Sequence, residues 1–293
     1  MDFPLHLLLP LASSVGYVAA VLLLKRSAAF GIGVWRTTFV ANVATFLCFM
    51  PLWALGAAVE PAGAWWQPVV CGSLFFVGQI FTFLSIQGDV SVATPVLGLK
   101  IILVALFSTV LLADGVPLQW WIAAVLSTAA IGLLNRGRSS STRSVGRTIV
   151  LAALAAASFA LSDVLVQKWT PRWGAGRFLP IMSGVVMIWS FALVPLFREP
   201  LRTISKAGWQ WLLPGAFLLA VQGIGMAIAV GVFGDATAVN IVYSSRGLWS
   251  VLAVWLIGHW FSNEEQNLGR AVLRGRLIGA LLMLVAIALV LRR

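Results

Sequence analysis

The stretch Gly88–Lys100, "GDVSVATPVLGLK", decides the fold, because it sets a lysine inside a run that is otherwise apolar. Further along, Gly234–Arg246 reads "GDATAVNIVYSSR". The two strings open alike, have the same length and end in a cation. A cation at the centre of a bilayer costs about 2.5–3.5 kcal/mol on insertion scales. A chain that places one twice, at matched positions, has a partner or a use for each.

Apolar runs continue on both sides of these strings. Of 293 residues, 60% are hydrophobic and 10% are charged, whereas soluble domains carry about 25% charged residues. A spanning helix needs about 20 apolar residues, and ten such segments are legible: 4–24, 34–56, 68–87, 91–112, 118–134, 148–168, 178–197, 209–233, 237–260 and 272–291. The expected fold class is all-α, a polytopic membrane protein of ten transmembrane helices. Trp35, Trp65, Trp66, Trp120, Trp121, Trp169, Trp173, Trp209, Trp211 and Trp260 fall at or near segment ends, where interface anchors sit. The N-terminus has no basic region and no small-residue cleavage site, so it is expected to be the first span.

The longest polar stretch, "NRGRSSSTRSVGR" over Asn135–Arg147, divides the spans into five and five. The expected organisation is a first five-helix repeat over 1–135, a basic Ser/Arg-rich linker over 136–147 and a second five-helix repeat over 148–293. A shift of 146 residues (234 minus 88) brings Gly88 onto Gly234, Asp89 onto Asp235, Ser91 onto Thr237 and Lys100 onto Arg246. With small changes of shift, Gln79 corresponds to Gln222, Lys25 to Lys168 and Pro51 to Pro195. Together these matches favour an internal duplication. Five spans per half force the second half to enter the bilayer from the opposite side, the inverted-repeat arrangement of many secondary transporters. Lys100 and Arg246 are then expected near the midplane, facing one shared space.

With its ten spans, its five-plus-five duplication and its short loops, the chain resembles the drug/metabolite transporter superfamily, in its EamA-like branch, over essentially its full length. The strings "GDVSVATP" and "GDATAVN" look like the small-residue openings of that family's fourth and ninth spans. In "LLADGVPLQWW" and "HWFSNEEQNL", Asp114 and Glu264 stand where the family often has an acid. The resemblance implies a transporter of small organic solutes with its site between the halves. Lys100 and Arg246 stand about where family members commonly have proline, which brings the chain closer to the branches that carry phosphorylated solutes. The family usually keeps both termini in the cytoplasm of a multi-pass protein, here expected in the inner (cytoplasmic) cell membrane. The charge count points the other way. Lys25, Arg26, Arg36, Arg136, Arg138, Arg143, Arg147, Arg198, Arg202, Lys206, Arg270, Arg274 and Arg276 flank one face, and Lys168, Arg172, Arg177, Arg292 and Arg293 the other. By the positive-inside rule both termini are outside.

Lys100 stands nine residues into its span, about 13 Å from the nearer interface at 1.5 Å per residue, too far for simple snorkelling. Both cations therefore need a polar cavity or a counter-ion. Asp89 and Asp235 read as N-caps of spans four and nine, so Asp163 in span six is the acid inside a span. Two cations and one acid leave a cavity of net charge near +1, suited to a phosphate or carboxylate. The expected substrate-binding set is Lys100, Arg246, Tyr243, Gln79, Gln222, Tyr17 and Asn42, with Asp163 coupling protons or ions. Helix–helix hydrogen bonding is the competing role for the neutral members, and a structural ion pair with Asp163 for the cations. Arg36 reads as a loop-end charge.

The expected function is a secondary transporter of a small organic anion, working by alternating access. The alternatives are an exporter of amino acids or other neutral or cationic metabolites, and a phospholipid or polyprenyl-phosphate flippase. No catalytic constellation, Walker loop or Cys/His cluster is present, so no catalytic residue, cofactor or metal is expected. Cys48 and Cys71 lie in apolar runs and suggest no disulfide framework. The expected partners are a small anionic solute and the lipid bilayer. Nucleic acid is excluded for want of a soluble basic surface, and a homodimer stays open.

Overall fold

The structure, a computed structural model, describes residues 4–56, 62–88, 90–112, 115–134, 145–257 and 270–292. These residues form α1 (Leu8–Ala28), α2 (Val34–Phe49), α3 (Trp66–Gly88), α4 (Val90–Gly98), α5 (Lys100–Leu111), α6 (Leu118–Leu134) and α7 (Val145–Trp173). They continue with α8 (Ala175–Ser190), α9 (Lys206–Phe233), α10 (Ala236–Tyr243), α11 (Arg246–Ile257) and α12 (Arg270–Leu291). Short 3-10 segments join them, and no strand occurs among the described residues. The fold is all-α. Among the described residues, eight helical stretches are long and apolar enough to cross a membrane, α4 and α5 together making one of them, and Leu118–Leu134 is a shorter apolar helix of 17 residues.

The packing is that of a protein in lipid. Large apolar side chains such as Val110, Leu118, Ile188, Phe217 and Leu277 point outward and are exposed. The inside is lined by small residues, among them Ala20, Ala105, Ala123, Ala155, Ala160, Ala216 and Ala229, which are fully buried. In water an apolar surface of this extent would aggregate. In a bilayer it is the solvated face, and small residues let backbones approach closely. Gly72 needs its missing side chain, since a Cβ there would stand 2.7 Å from the carbonyl oxygen of Met182. The chain is a multi-pass membrane protein.

Side-chain contacts sort the turns into two ends. At one end Gln119 Nε2 donates to the Arg292 carbonyl, Trp173 Nε1 donates to Gln67 Oε1, and His6 meets Asp235. This end carries the start of α1 and the end of α12, and is called the terminal face below. At the other end Arg36 reaches from the start of α2 to Thr203 and Glu199 before α9. This end is called the basic face. Arg36 is buried, with its guanidinium also on the Gly31 carbonyl. The expectation of a loop-end charge is corrected: this arginine ties two loops together.

Helix pairs recur in exchanged form. The most extensive contacts are α1 on α9, α3 on α7 and α6 on α12. The pair α2 on α9 has α8 on α3 as its counterpart. Both α2 and α8 run on into a six-residue 3-10 segment, Met50–Leu55 and Phe191–Leu196, each with a proline.

Spans four and nine, expected as continuous helices, are each broken. Pro95 stands inside α4, one turn before the break. At the break the Leu99 N–H takes the Val96 carbonyl, three residues back, at 3.0 Å, and Thr128 Oγ1 donates to the Gly98 carbonyl at 3.2 Å. In the second half two serines do the breaking. Ser244 Oγ donates to the Ile241 carbonyl, and tight bonds of 3.1 Å run from Ser245 N to Val242 O and from Gly247 N to Ser244 O. Such back-bonding bends helices. Span six is longer than expected: α7 runs from Val145 to Trp173, so residues 145–147 belong to helix and not to linker. The remaining linker residues, 136–144, lie outside the described residues, as do Asp89, Asp114 and Glu264.

Candidate functional site

Lys100 is the first residue of α5 and Arg246 the first of α11, so each cation opens the second piece of a broken helix. A break frees backbone groups inside the protein, which is tolerated in membranes only where other groups or water satisfy them. Here Thr128 and the Ser244 and Ser14–Ser245 hydroxyls surround the breaks, the last pair 2.9 Å apart.

The two cations are held differently. Lys100 Nζ stands 2.8 Å from Asp163 Oδ2, with both side chains about one-fifth exposed, and 5.8 Å from the centre of the Phe159 ring. Asn240 Nδ2 donates to the same Asp163 oxygen at 2.9 Å and to the Ala236 carbonyl at 3.0 Å. Asp163 was expected near the end of its span. Because α7 extends to Trp173, the acid lies ten residues inside it.

Arg246 has aromatic partners. Its guanidinium carbon is 4.8 Å from the Tyr17 ring centre and 4.7 Å from that of Tyr243. The two rings meet edge to face at 6.1 Å, and the Tyr243 hydroxyl donates to Gln222 Oε1 at 2.9 Å. Both rings lie within cation–π distance of the guanidinium, a planar group that carries five N–H donors. Among the described residues no carboxylate lies within ion-pair distance of Arg246. Of these two cations, Lys100 is paired with Asp163, and Arg246 keeps its charge beside the tyrosines.

Asn42 and Gln79 stand apart from this cluster. Asn42 Nδ2 donates to Gln79 Oε1 at 2.9 Å and to Ser190 Oγ at 2.8 Å, and Gln79 Nε2 returns a bond to Asn42 Oδ1 at 3.1 Å. The amides occupy each other and lock α2, α3 and α8 together. The expected set thus falls into a chamber group (Lys100, Arg246, Tyr243, Tyr17, Gln222 and Asp163) and this lock.

Asp235 does not cap α10 through its side chain. Gln167 Oε1 accepts the Ala236 N–H instead, at 2.9 Å, and Asp235 Oδ2 lies 3.3 Å from His6 Nε2. The capping expectation for Asp235 is corrected: the glutamine from α7 takes the first N–H of α10, and no cap bond comes from the Asp235 side chain.

Asn240, Gln167 and Phe159 were not anticipated. Asn240 had a signal, being the one amide inside "ATAVNIVY". Gln167 and Phe159 had none, since nothing in a lone sequence says which face of α7 meets α10 or α5.

Burial changes along span nine. Every residue from Ala236 to Ser245 is buried, whereas every residue from Arg246 to Ala253 is at least partly exposed. The half of span nine toward the terminal face is packed inside the protein, and the half toward the basic face adds to its largely apolar outer surface. The outer groove between α5 and α7, which includes Leu99, Leu103, Val150 and Leu154, is lined by apolar residues throughout and belongs to the lipid-facing surface.

No family model and no curated protein matches this chain. A solved crystal structure shares the fold, with a TM-score of 0.67 over 95% of this chain and 97% of that one at 17% identity. That likeness is one of fold.

Proposed function

We propose that the chain is a secondary transporter built as two inverted five-helix repeats, moving a small organic anion by alternating access around Lys100 and Arg246. Three features support the repeat. Cations open the second pieces of two broken helices at a 146-residue shift (246 minus 100). The packed pairs α1–α9 and α3–α7, spans one with eight and six with three, exchange when the halves are swapped. Spans two and seven both end in six-residue 3-10 segments. Broken helices meeting at a repeat interface are the usual construction of a transporter midplane site.

The observation that carries the substrate class is the charge left at Arg246 once Lys100 is paired. A guanidinium beside two tyrosine rings, with no carboxylate among the described residues within ion-pair distance, suits bidentate binding of a carboxylate or phosphate. A second reading has its own support: Asp163 supplies an acid in the same chamber, so a zwitterion such as an amino acid could place its carboxylate on Arg246 and its ammonium on Asp163.

A thermal-shift screen of the purified protein separates these readings, because stabilisation follows ligand affinity. Phosphorylated metabolites, carboxylates, amino acids and quaternary amines form the panel. Stabilisation by anions, lost in Arg246→Ala, supports the proposal. Stabilisation by cations alone overturns it.

A further inference from the structure

Two side-chain bonds join α7 to α10 in strict antiparallel register. Asp163 accepts from Asn240, and one turn further along α7, Gln167 accepts from the Ala236 N–H, one turn back along α10. Each step is four residues, the spacing that keeps side chains on one helix face. Past the second rung, toward the terminal face, His6 lies 3.3 Å from Asp235, and its ring stacks on Phe233 at 5.2 Å.

We infer that this seam is the gate on the terminal face, that α10 must part from α7 for the chamber to open there, and that Asn240 and Gln167 are its positioning residues. The inference rests on the transporter reading above. Every residue of α10 is buried, so the protein is closed on this side at the seam. The inner rung ends on the same Asp163 oxygen that pairs with Lys100. An anion that draws Lys100 away leaves this carboxylate charged and four-fifths buried, with the Asn240 amide still on it. Buried charge in that condition is costly, and it is relieved when α10 moves and water enters. Ligand binding and gate opening therefore share one oxygen atom.

The seam belongs to one half. At the 143-residue shift that carries Lys25 onto Lys168, Asp163 corresponds to Ala20 and Gln167 to Leu24. Neither side chain can accept a hydrogen bond. The basic face must close without these rungs, so the cycle is biased toward the state in which the terminal face is shut.

The test uses the full chain in proteoliposomes, with Cys48→Ser and Cys71→Ser as background. A cysteine replaces Val239, which is fully buried in α10, and a membrane-impermeant maleimide is added from the terminal face. Asn240→Leu, and separately Gln167→Leu, is expected to speed labelling about tenfold, within the usual range of ligand-linked coupling. Inorganic phosphate is expected to speed labelling of the parent. A disulfide formed between Gln167→Cys and Ala236→Cys is expected to abolish labelling until reductant is added. Labelling unchanged by either leucine variant and by the disulfide overturns the gate, even if phosphate raises the melting temperature and so upholds anion binding. Faster labelling in the variants with no response to phosphate keeps the gate and removes the anion from the reading.

Discussion

Lys100 and Asp163 stand 2.8 Å apart, Nζ to Oδ2, joining the first turn of one half-helix to the middle of another helix. Removing one member of a buried pair leaves the other charged and costs about 3–5 kcal/mol. These side chains keep about one-fifth of their exposure, so solvent screening reduces the expected loss to about 1–3 kcal/mol for Lys100→Gln or Asp163→Asn. The double variant should be more stable than either single one, because no unpaired charge remains. Denaturation of all four proteins in detergent checks this. If the single losses simply add, the pair does not stabilise the fold.

If Asp163 also couples protons, Asp163→Asn should abolish concentrative uptake and leave exchange intact, since a neutral amide can hold Asn240 but cannot cycle a proton. Uptake and counter-flow in proteoliposomes measure the two separately. Unchanged pH dependence of uptake in the variant removes the coupling role.

At Arg246, shape should matter as well as charge. Arg246→Lys keeps the cation but loses the planar fork of donors beside Tyr17 and Tyr243. We expect anion affinity to fall about tenfold or more, corresponding to about 1.4 kcal/mol. Tyr243→Phe removes the donor to Gln222 and should cost about 1 kcal/mol of stability with a smaller effect on affinity. Equal affinity in Arg246→Lys and the parent would mean that a point charge suffices.

How far the sequence could be read depended on what each feature needs from the fold. Apolar stretches are local, and hydropathy marked the eight that are long enough to cross a membrane. Helix breaks depend on groups acting against the ladder, and Ser244–Ser245 were visible without being given that meaning. Pairing was the illegible part. Gln79 and Gln222 were aligned by sequence, yet one bonds Asn42 and the other Tyr243. Positions matched by sequence can do different work. Asp163 was visible as an acid within a span, but its partners come from α5 and α10, and no spacing along the chain encodes that meeting.

Close helix contacts give a test of the fold that does not depend on function. A Cβ on Gly176 would lie 2.7 Å from the Leu52 carbonyl oxygen and 2.9 Å from that of Gly56. Backbone atoms cannot step aside as a side-chain end can, so Gly176→Ala should lose about 1–3 kcal/mol. Gly132 in α6 has open space where its Cβ would go, and Gly132→Ala should be neutral or gain up to about 1 kcal/mol from helix propensity. The reverse order of melting temperatures would mean that α8 does not dock on the end of span two.

Orientation follows from which face holds the basic loops. Arg198 and Arg172 are both exposed, at opposite ends of the helices. If the positive-inside rule governs this chain, a cysteine at Arg198 reacts only with reagents that reach the cytoplasm, and one at Arg172 reacts with impermeant maleimide added to intact cells. The basic face would then be cytoplasmic, and the α7–α10 seam would be the barrier to release outside. The opposite labelling pattern would put both termini in the cytoplasm, as in the family the sequence resembles, and the same seam would then close the chamber from within. Either pattern leaves the seam on the terminal face, so labelling at these two arginines fixes the direction of the gate independently of whether the gate exists.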